Sequence, residues 1–599
     1  MVNFYCGVGM RFAKTFLLAG LLAGLSWQGA AGEERAFEMN AGTHTAALPQ
    51  SFLPSREAGA PDIRPLAKLQ LALLGVLSDR GAVNHAELGA RSPLDAEALR
   101  ESYAARDYRP LWLDAEGLTP RGEALLRALD AADEDGLDPD DYGAEARRAA
   151  RATDIAAPLA LARLELRLSG ALLAFLTDLK IGRIEPTSLG ADHDIARKRV
   201  EPLTLLLGAI AAPNLADYVA AQRPQTLAYT RLRQALRDYR WLATVQADIL
   251  VPEGPTLRLG EKDPRVPLLR QRLTQLEQVA SPLPDVISGF SHALVPAAYM
   301  PEPGTLYDPL LERAVMDFQR RHGLEVDGVV GRKTLAALNV TLADRAAQIL
   351  VNLERLRWQA TELGETHVAV NLPDYRMRVV SRGVVLHEAR VIIGTPKNRT
   401  PLFSDRITYL EFNPFWNVPR SIVGEEILPE LRKDPGYLAA NDFKLLSDWG
   451  GDPSELDPHG IPWEQISAKG FPFRVRQEPG PGNALGLVKF MFPNRHSVYM
   501  HDTPAKSLFG KNRRAFSHGC IRVQHPERFA QVLLGWSDED VQAAMETPER
   551  RIVSLAEPIP VHLTYYTAWL AEDGTLQFRD DPYDNDRRLA QALLGESSR

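Results

Sequence analysis

Residues 498–529 read VYMHDTPAKSLFGKNRRAFSHGCIRVQHPERF. Four of the chain's thirteen histidines fall between His496 and His525, and Cys520 stands among them. A thiol attacks as its thiolate, and a free cysteine has a pKa of about 8.5. A neighbouring imidazole can take the proton, and His501 and His518 are both placed to do so. Gly519 removes a side chain where backbone must approach a substrate carbonyl. Peptide N–H groups of His518, Gly519 and Cys520 can stabilise an oxyanion there, and Ser517 adds a hydroxyl able to fix an imidazole or the developing charge. Tyr499 lies two residues before His501, so on a strand the two share a face.

Strand-like sequence leads into this stretch from Leu487 to Met500. Further upstream, from His367, the apolar period is two. Val368, Val370 and Leu372 alternate, as do Met377 and Val379, then Val391 and Ile393, with Pro373-Asp374 and Ser381-Arg382-Gly383 as turns. These features predict a β-rich catalytic domain over 366–535, followed by a C-terminal segment, 536–599. Helical and loop sequence interrupts it at 420–485, with Pro419 and the Pro/Gly-rich run 478–486 as pliable ends. Trp416 and Asn417, in NPFWNVP just before the interruption, are candidates for lining a substrate cleft.

The N-terminal half reads as helical. From 67 to 250 apolar residues recur at three- and four-residue steps, as in LALARLELRLSGALLAFLTDLKIG (159–182), with Gly182 as a stop. No cluster of chemistry-bearing residues occurs there, which suggests a scaffold. Residues 257–340 predict three short helices. Asp263-Pro264 and Asp308-Pro309 supply N-caps with proline at the first helical position. Val266, Leu269, Leu273 and Leu276 form one apolar face, and Leu311, Ala314, Val315 and Phe318 another. The third helix runs from about Lys333 to Leu338. A connecting helix is expected within 341–360, ending at Arg357-Trp358. The whole is a multidomain α+β chain.

The N-terminus predicts an export signal, 1–32. Arg11 and Lys14 precede FLLAGLLAGL (16–25), and small residues 29–32 offer a cleavage site. The apolar run is shorter than the roughly 20 residues a membrane span needs; left uncleaved, it would tether the chain to a membrane. A Pro-rich lead-in, 33–66, follows. Cys6 leaves with the signal, so the exported chain keeps Cys520 as a lone thiol in an oxidising compartment. The net charge of -8 argues against a nucleic-acid partner.

The run from His501 to Ser517-His518-Gly519-Cys520 resembles the catalytic motif of the L,D-transpeptidases (YkuD-type). Residues 314–339 resemble the pattern AVxxFQxxxGLxxDGxxGxxTLxxLN of peptidoglycan-binding three-helix modules, although the link between their first two helices, 280–304, is longer than usual. Together with YAARDYRPLWLD, DEDGLDPDDYG and LERLRW, these features resemble the long periplasmic subgroup of the family. The resemblance implies that Cys520 is the nucleophile and His501 the general base, with His518 and Gly519 shaping the oxyanion turn. It implies tetrapeptide stems of peptidoglycan as donor and acceptor, 3→3 cross-links through a thioester with release of terminal D-Ala, acylation by carbapenems, and no cofactor or metal. Arg522 then either pairs with a substrate carboxylate or braces its own loop, and 420–485 is a cap over the site.

Two other classes remain on the sequence. A zinc hydrolase would use His501, His518, Cys520 and His525 as ligands, although His518 and Cys520 are only two apart. A catalytically dead wall-binding protein would have no use for an intact Cys520 and His501.

Overall fold

The computed structural model describes residues 65–79, 84–114, 116–152, 157–280, 304–360, 362–448, 450 and 452–595. The expected signal, nearly all of the lead-in and most of the 280–304 link lie outside the described residues. Among the described residues no helix is long and apolar enough to cross a membrane.

Fourteen strands are described. They are β1 (Thr366–Asn371), β2 (Arg376–Ser381), β3 (Val384–Gly394), β4 (Phe403–Phe412), β5 (Trp416–Asn417), β6 (Phe443–Leu446), β7 (Arg474–Gln477), β8 (Val488–Met491), β9 (Met500–His501), β10 (Ala515–Ser517), β11 (Ile521–Val523), β12 (Arg551–Thr564), β13 (Ala568–Leu570) and β14 (Leu576–Phe578). Nine make one mixed sheet in the order β10-β3-β11-β9-β8-β4-β12-β1-β2, and a further pairing of β2 with β3 closes it on itself. The alternating residues read from the sequence, Val368, Val370, Met377, Val379, Val391 and Ile393, all point into its core. Closure leaves these strands few open edges, and the apolar face turns inward.

The expected end of this domain at 535 does not hold. β12 lies between β4 and β1, antiparallel to the first and parallel to the second. Residues 551–564 are therefore central to the sheet. Its charged, proline-containing sequence (RIVSLAEPIPVHLT) masks the period of two until Val561 and Leu563, which enter the core.

The interruption forms a small unit with its own core of Val418, Ile422, Val423, Ile427, Leu428, Leu431, Leu438, Leu445, Trp463, Phe471 and Val475. Its sheet runs β5-β7-β6, so the unit begins at Trp416 rather than 420. The chain thus enters and leaves it next to β4 and β8, which pair with one another from Tyr409↔Met491 to Phe412↔Val488.

Two helical cores lie outside the sheet. Helices from Pro65–Ser78 to Leu215–Gln222 share the first, around the nearly buried Pro158–Ile181. The next helix, Leu227–Val245, belongs to the second core instead, with the three-helix module, the connecting helix Leu342–Trp358, the β13–β14 hairpin and Asn585–Leu594. Periodicity identifies helices but not the core they join. In the module, Asp308 caps Pro309–Arg321 as expected. The first helix starts at Val266, because Asp263 accepts the Arg265 N–H and pairs with its guanidinium.

The first helical core's segment also touches the nine-stranded sheet. Leu402 N–H donates to the Asp192 carbonyl at 2.7 Å, Arg399 pairs with Asp192 at 3.2 Å, and His496 Nε2 meets Asp194 at 2.7 Å.

Candidate active site

Strand register assembles the site. Arg522 pairs with Ile392 on one side and His501 on the other; His501 pairs with Lys489, and Lys489 with Glu411. Paired residues share a face of the sheet. The adjacent row, Ile521, Met500, Phe490 and Leu410, is fully buried in the core. Alternation therefore turns Arg522, His501, Lys489 and Glu411 to the outer face. Tyr499 precedes β9 and Cys520 precedes β11, and the Ile521 N–H donates to the Tyr499 carbonyl at 3.1 Å. This bond sets the cysteine beside the tyrosine.

Cys520 is half-buried as a residue. Burial pushes its thiol pKa up; hydrogen bonds from the Tyr499 backbone and phenol and the charges of Lys489 and Arg522 act against it. The Tyr499 phenol is itself held well above its ordinary range by burial and by Cys520. Lys489 Nζ lies 4.2 Å from the centre of the Tyr499 ring and 3.8 Å from Glu411. It is the nearby cation that sequence reading passed over, and its signal was a lysine at an outward position of an otherwise apolar strand.

His501 is buried, 5.7 Å from the Tyr499 ring, and its Nδ1 meets the Asp502 carbonyl. A carbonyl only accepts, so Nδ1 carries the proton and the neutral ring presents Nε2 as a base. Burial pushes the His501 pKa down to about 3, helped by the Arg522 and Lys489 charges and opposed by hydrogen bonds to the backbone of Asp502 and Leu485. At neutral pH the resting pair is a thiol and a neutral imidazole.

The loop before Cys520 is a built turn. Ser517 Oγ donates to the Cys520 carbonyl at 2.5 Å and accepts the Gly519 N–H at 3.2 Å. The serine thus fixes the turn rather than an imidazole, and one of the three expected oxyanion donors is spent within the loop. Gly519 has φ +115°, a conformation that disfavours any side chain, whereas its nearest neighbour to an added Cβ is an unstrained 3.6 Å away. Its torsion alone therefore favours glycine at this position. Its carbonyl accepts from Thr400 Oγ1 at 2.8 Å, and Thr400 N–H donates to the Tyr583 hydroxyl at 3.2 Å. Neither Thr400 nor Tyr583 carried a sequence signal, since both act from distant segments.

His518 is one-third exposed, and its Nε2 lies 2.9 Å from Glu426 Oε1 of the inserted unit. Arg522 is mostly buried, and its Nε has no hydrogen-bond partner among the described residues. Burial lowers its pKa, opposed by the neighbouring Cys520, when ionised, and by Glu426. Trp416 and Asn417 lie in β5: the Trp416 ring packs 6.1 Å from Phe443, and Asn417 is exposed opposite Arg476. They belong to the inserted unit. His525 is an exposed helix cap paired with Glu527 at 3.2 Å. Among the described residues no three His, Cys, Asp or Glu side chains are grouped to hold a metal ion, so the four ligands of a zinc site are not assembled.

Three family models match the sequence: "Scaffold domain" over 97–236, "Putative peptidoglycan binding domain" over 262–338 and "L,D-transpeptidase catalytic domain" over 365–550. A Haemophilus influenzae protein named "Putative L,D-transpeptidase" is 34% identical over 252 residues, which are 41% of this chain and 50% of that protein. The chain thus spans about half the length of this relative. Solved structures with similar parts include an L,D-transpeptidase from Mycobacterium smegmatis (14% identity, 33% of this chain, 58% of that one, TM-score 0.17) and one from Stackebrandtia nassauensis (12%, 52%, 95%, TM-score 0.18). The site around Cys520 falls within the longest of these matches, the one to the L,D-transpeptidase catalytic domain model over 365–550, and the matches to the peptidoglycan-binding and scaffold models precede it in the chain.

Proposed function

We propose that the protein is an exported L,D-transpeptidase that cross-links peptidoglycan stems through a Cys520 thioester. The observation that carries this is the grouping of Cys520, Tyr499, His501 and Lys489 on one face of the closed sheet. His501 Nε2 takes the thiol proton as sulfur attacks the carbonyl that precedes the terminal D-Ala of a tetrapeptide. The same proton then goes to the departing D-Ala amine. The remaining N–H groups of His518 and Cys520 lie at the turn where the oxyanion forms. Arg522, with an unpartnered buried nitrogen, suits a donor-stem carboxylate. A side-chain amine of a second stem resolves the thioester into a 3→3 link. Bond energy is retained in the thioester, so the scheme needs no cofactor.

The module at 262–338 would hold the wall polymer, and the cationic, apolar start of the chain fits export to the periplasm. Carbapenems, which present an activated carbonyl, would acylate the same thiol. Intact-mass spectrometry of the protein with a disaccharide-tetrapeptide tests the reading. An adduct on Cys520, release of D-Ala and a 3→3 dimer are expected; a Cys520→Ala protein with undiminished product would overturn it.

A further inference from the structure

The pairing of His518 with Glu426 joins two parts of the chain with different tasks. His518 belongs to the turn that carries Cys520. Glu426 belongs to a five-residue π-helical turn, Val423–Ile427, of the inserted unit. Such turns are uncommon and interrupt ordinary helices, often where a side chain must be re-aimed at a site. Here the turn presents Glu425 and Glu426 in succession. Glu425 is taken by Lys397 at 3.0 Å. Glu426 reaches His518 Nε2 at 2.9 Å with a side chain still half-exposed, and its charge is felt by Arg522 beside Cys520.

Resting on the L,D-transpeptidase reading, we infer that Glu426 and His518 form the subsite for the acceptor amine, with Glu426 selecting a cationic side chain. A primary alkyl amine arrives at neutral pH as an ammonium ion. It cannot attack a thioester until it loses a proton. A carboxylate accepts hydrogen bonds through both oxygens, so Glu426 can hold the ammonium while one oxygen keeps His518 in place. The first proton leaves the ammonium through the His518 side chain to solvent. The freed amine attacks the acyl carbon, the C–N bond forms and the C–S bond breaks. The amine's second proton passes through His501 to the Cys520 sulfur. The net change is acyl-S-Cys520 plus R-NH3+ giving the amide, the free thiol and one proton. Water carries no charge for Glu426 to bind, so the same contact favours cross-linking over hydrolysis.

The test compares acceptors on the full-length acyl-enzyme. One is a diamino-acid stem peptide. The other is methoxyamine, a nucleophile uncharged at neutral pH. The ratio of their aminolysis rates, and the partition of each against hydrolysis, are read by mass spectrometry for the wild type and for Glu426→Gln. The ratio is independent of how much acyl-enzyme forms. Loss of one partly exposed charge-assisted contact should lower the preference for the stem amine about tenfold, with methoxyamine aminolysis moving much less. Glu426→Asp should recover part of the preference. An unchanged ratio in Glu426→Gln, or an equal loss with both nucleophiles, overturns the inference. Absence of any acyl-enzyme in the wild type overturns instead the reading of Cys520 on which it rests.

Discussion

Thr400 Oγ1 donates to the Gly519 carbonyl at 2.8 Å and accepts the Gly394 N–H at 2.9 Å, so one hydroxyl ties the turn before Cys520 to the end of β3. Tyr583 closes the arrangement, giving its hydroxyl proton to the Gly394 carbonyl at 2.7 Å. Thr400→Val keeps the shape and removes both bonds. Acylation of Cys520 should slow about tenfold or more, since a small misplacement of reacting groups is costly. Thr400→Ser should restore most of the rate. Stopped-flow acylation of the three proteins by a carbapenem checks this; a Val variant at wild-type rate would make the contact incidental.

The neighbouring residues separate torsion from chemistry. Cys520→Ala should fold normally and form no acyl-enzyme, because a small half-buried thiol adds little packing. Gly519→Ala should be impaired for another reason. Its Cβ meets no clash, but φ +115° strains any L-side chain by roughly 1–3 kcal/mol. The expected result is a lower melting temperature together with slow acylation. Gly519→Ala with both values at wild type would remove the torsional argument.

The place of β12 makes a prediction about truncation. A chain ending at Arg550 keeps His501, Cys520 and the full extent of the catalytic family match. It loses the strand that β4 and β1 both pair with, exposing two apolar edges that invite association. Such a protein should be insoluble or lack cooperative unfolding, as followed by circular dichroism. Cooperative unfolding at the wild-type temperature would refute the central role given to residues 551–564.

These cases also mark what the sequence discloses. Val368, Val370, Met377 and Val379 alternate over short strands with one buried face, so their period of two is plain. β12 hides because its first half is largely exposed and two prolines, Pro558 and Pro560, interrupt the period just before Val561. His501 and Cys520 stand in one compact run of nucleophile and base. Lys489, Thr400, Tyr583 and Glu426 come to the same place from four separate segments, through strand register and the docking of the inserted unit. Nothing local ties a glutamate at 426 to a histidine at 518. Leu227–Val245 has the same apolar spacing whichever core it joins, which is why the scaffold boundary is not legible.

The electrostatics of His501 give a pH profile. Its pKa falls from about 6.5 in an unfolded chain to about 3 in the folded one, chiefly through burial. Between these values the unfolded chain binds a proton that the folded chain does not. Its contribution to stability is therefore complete above pH 6.5 and is lost as pH falls toward 3. The same shift keeps the imidazole unprotonated, and so able to accept a proton, through pH 5–7, and acylation should show no acid limb near 6.5. On the alkaline side Cys520, pushed up by burial, stays a thiol at neutral pH and needs the base. His501→Ala should slow acylation at pH 7 by about a hundred- to ten-thousand-fold, and the gap should narrow as rising pH forms the thiolate directly. His525→Ala, at an exposed helix cap, should follow the wild type throughout. Acylation rates of the three proteins from pH 5 to 10 decide the matter. An inflection at 6.5 in the wild type, or a gap that does not close in alkali, would contradict the neutral-pair description.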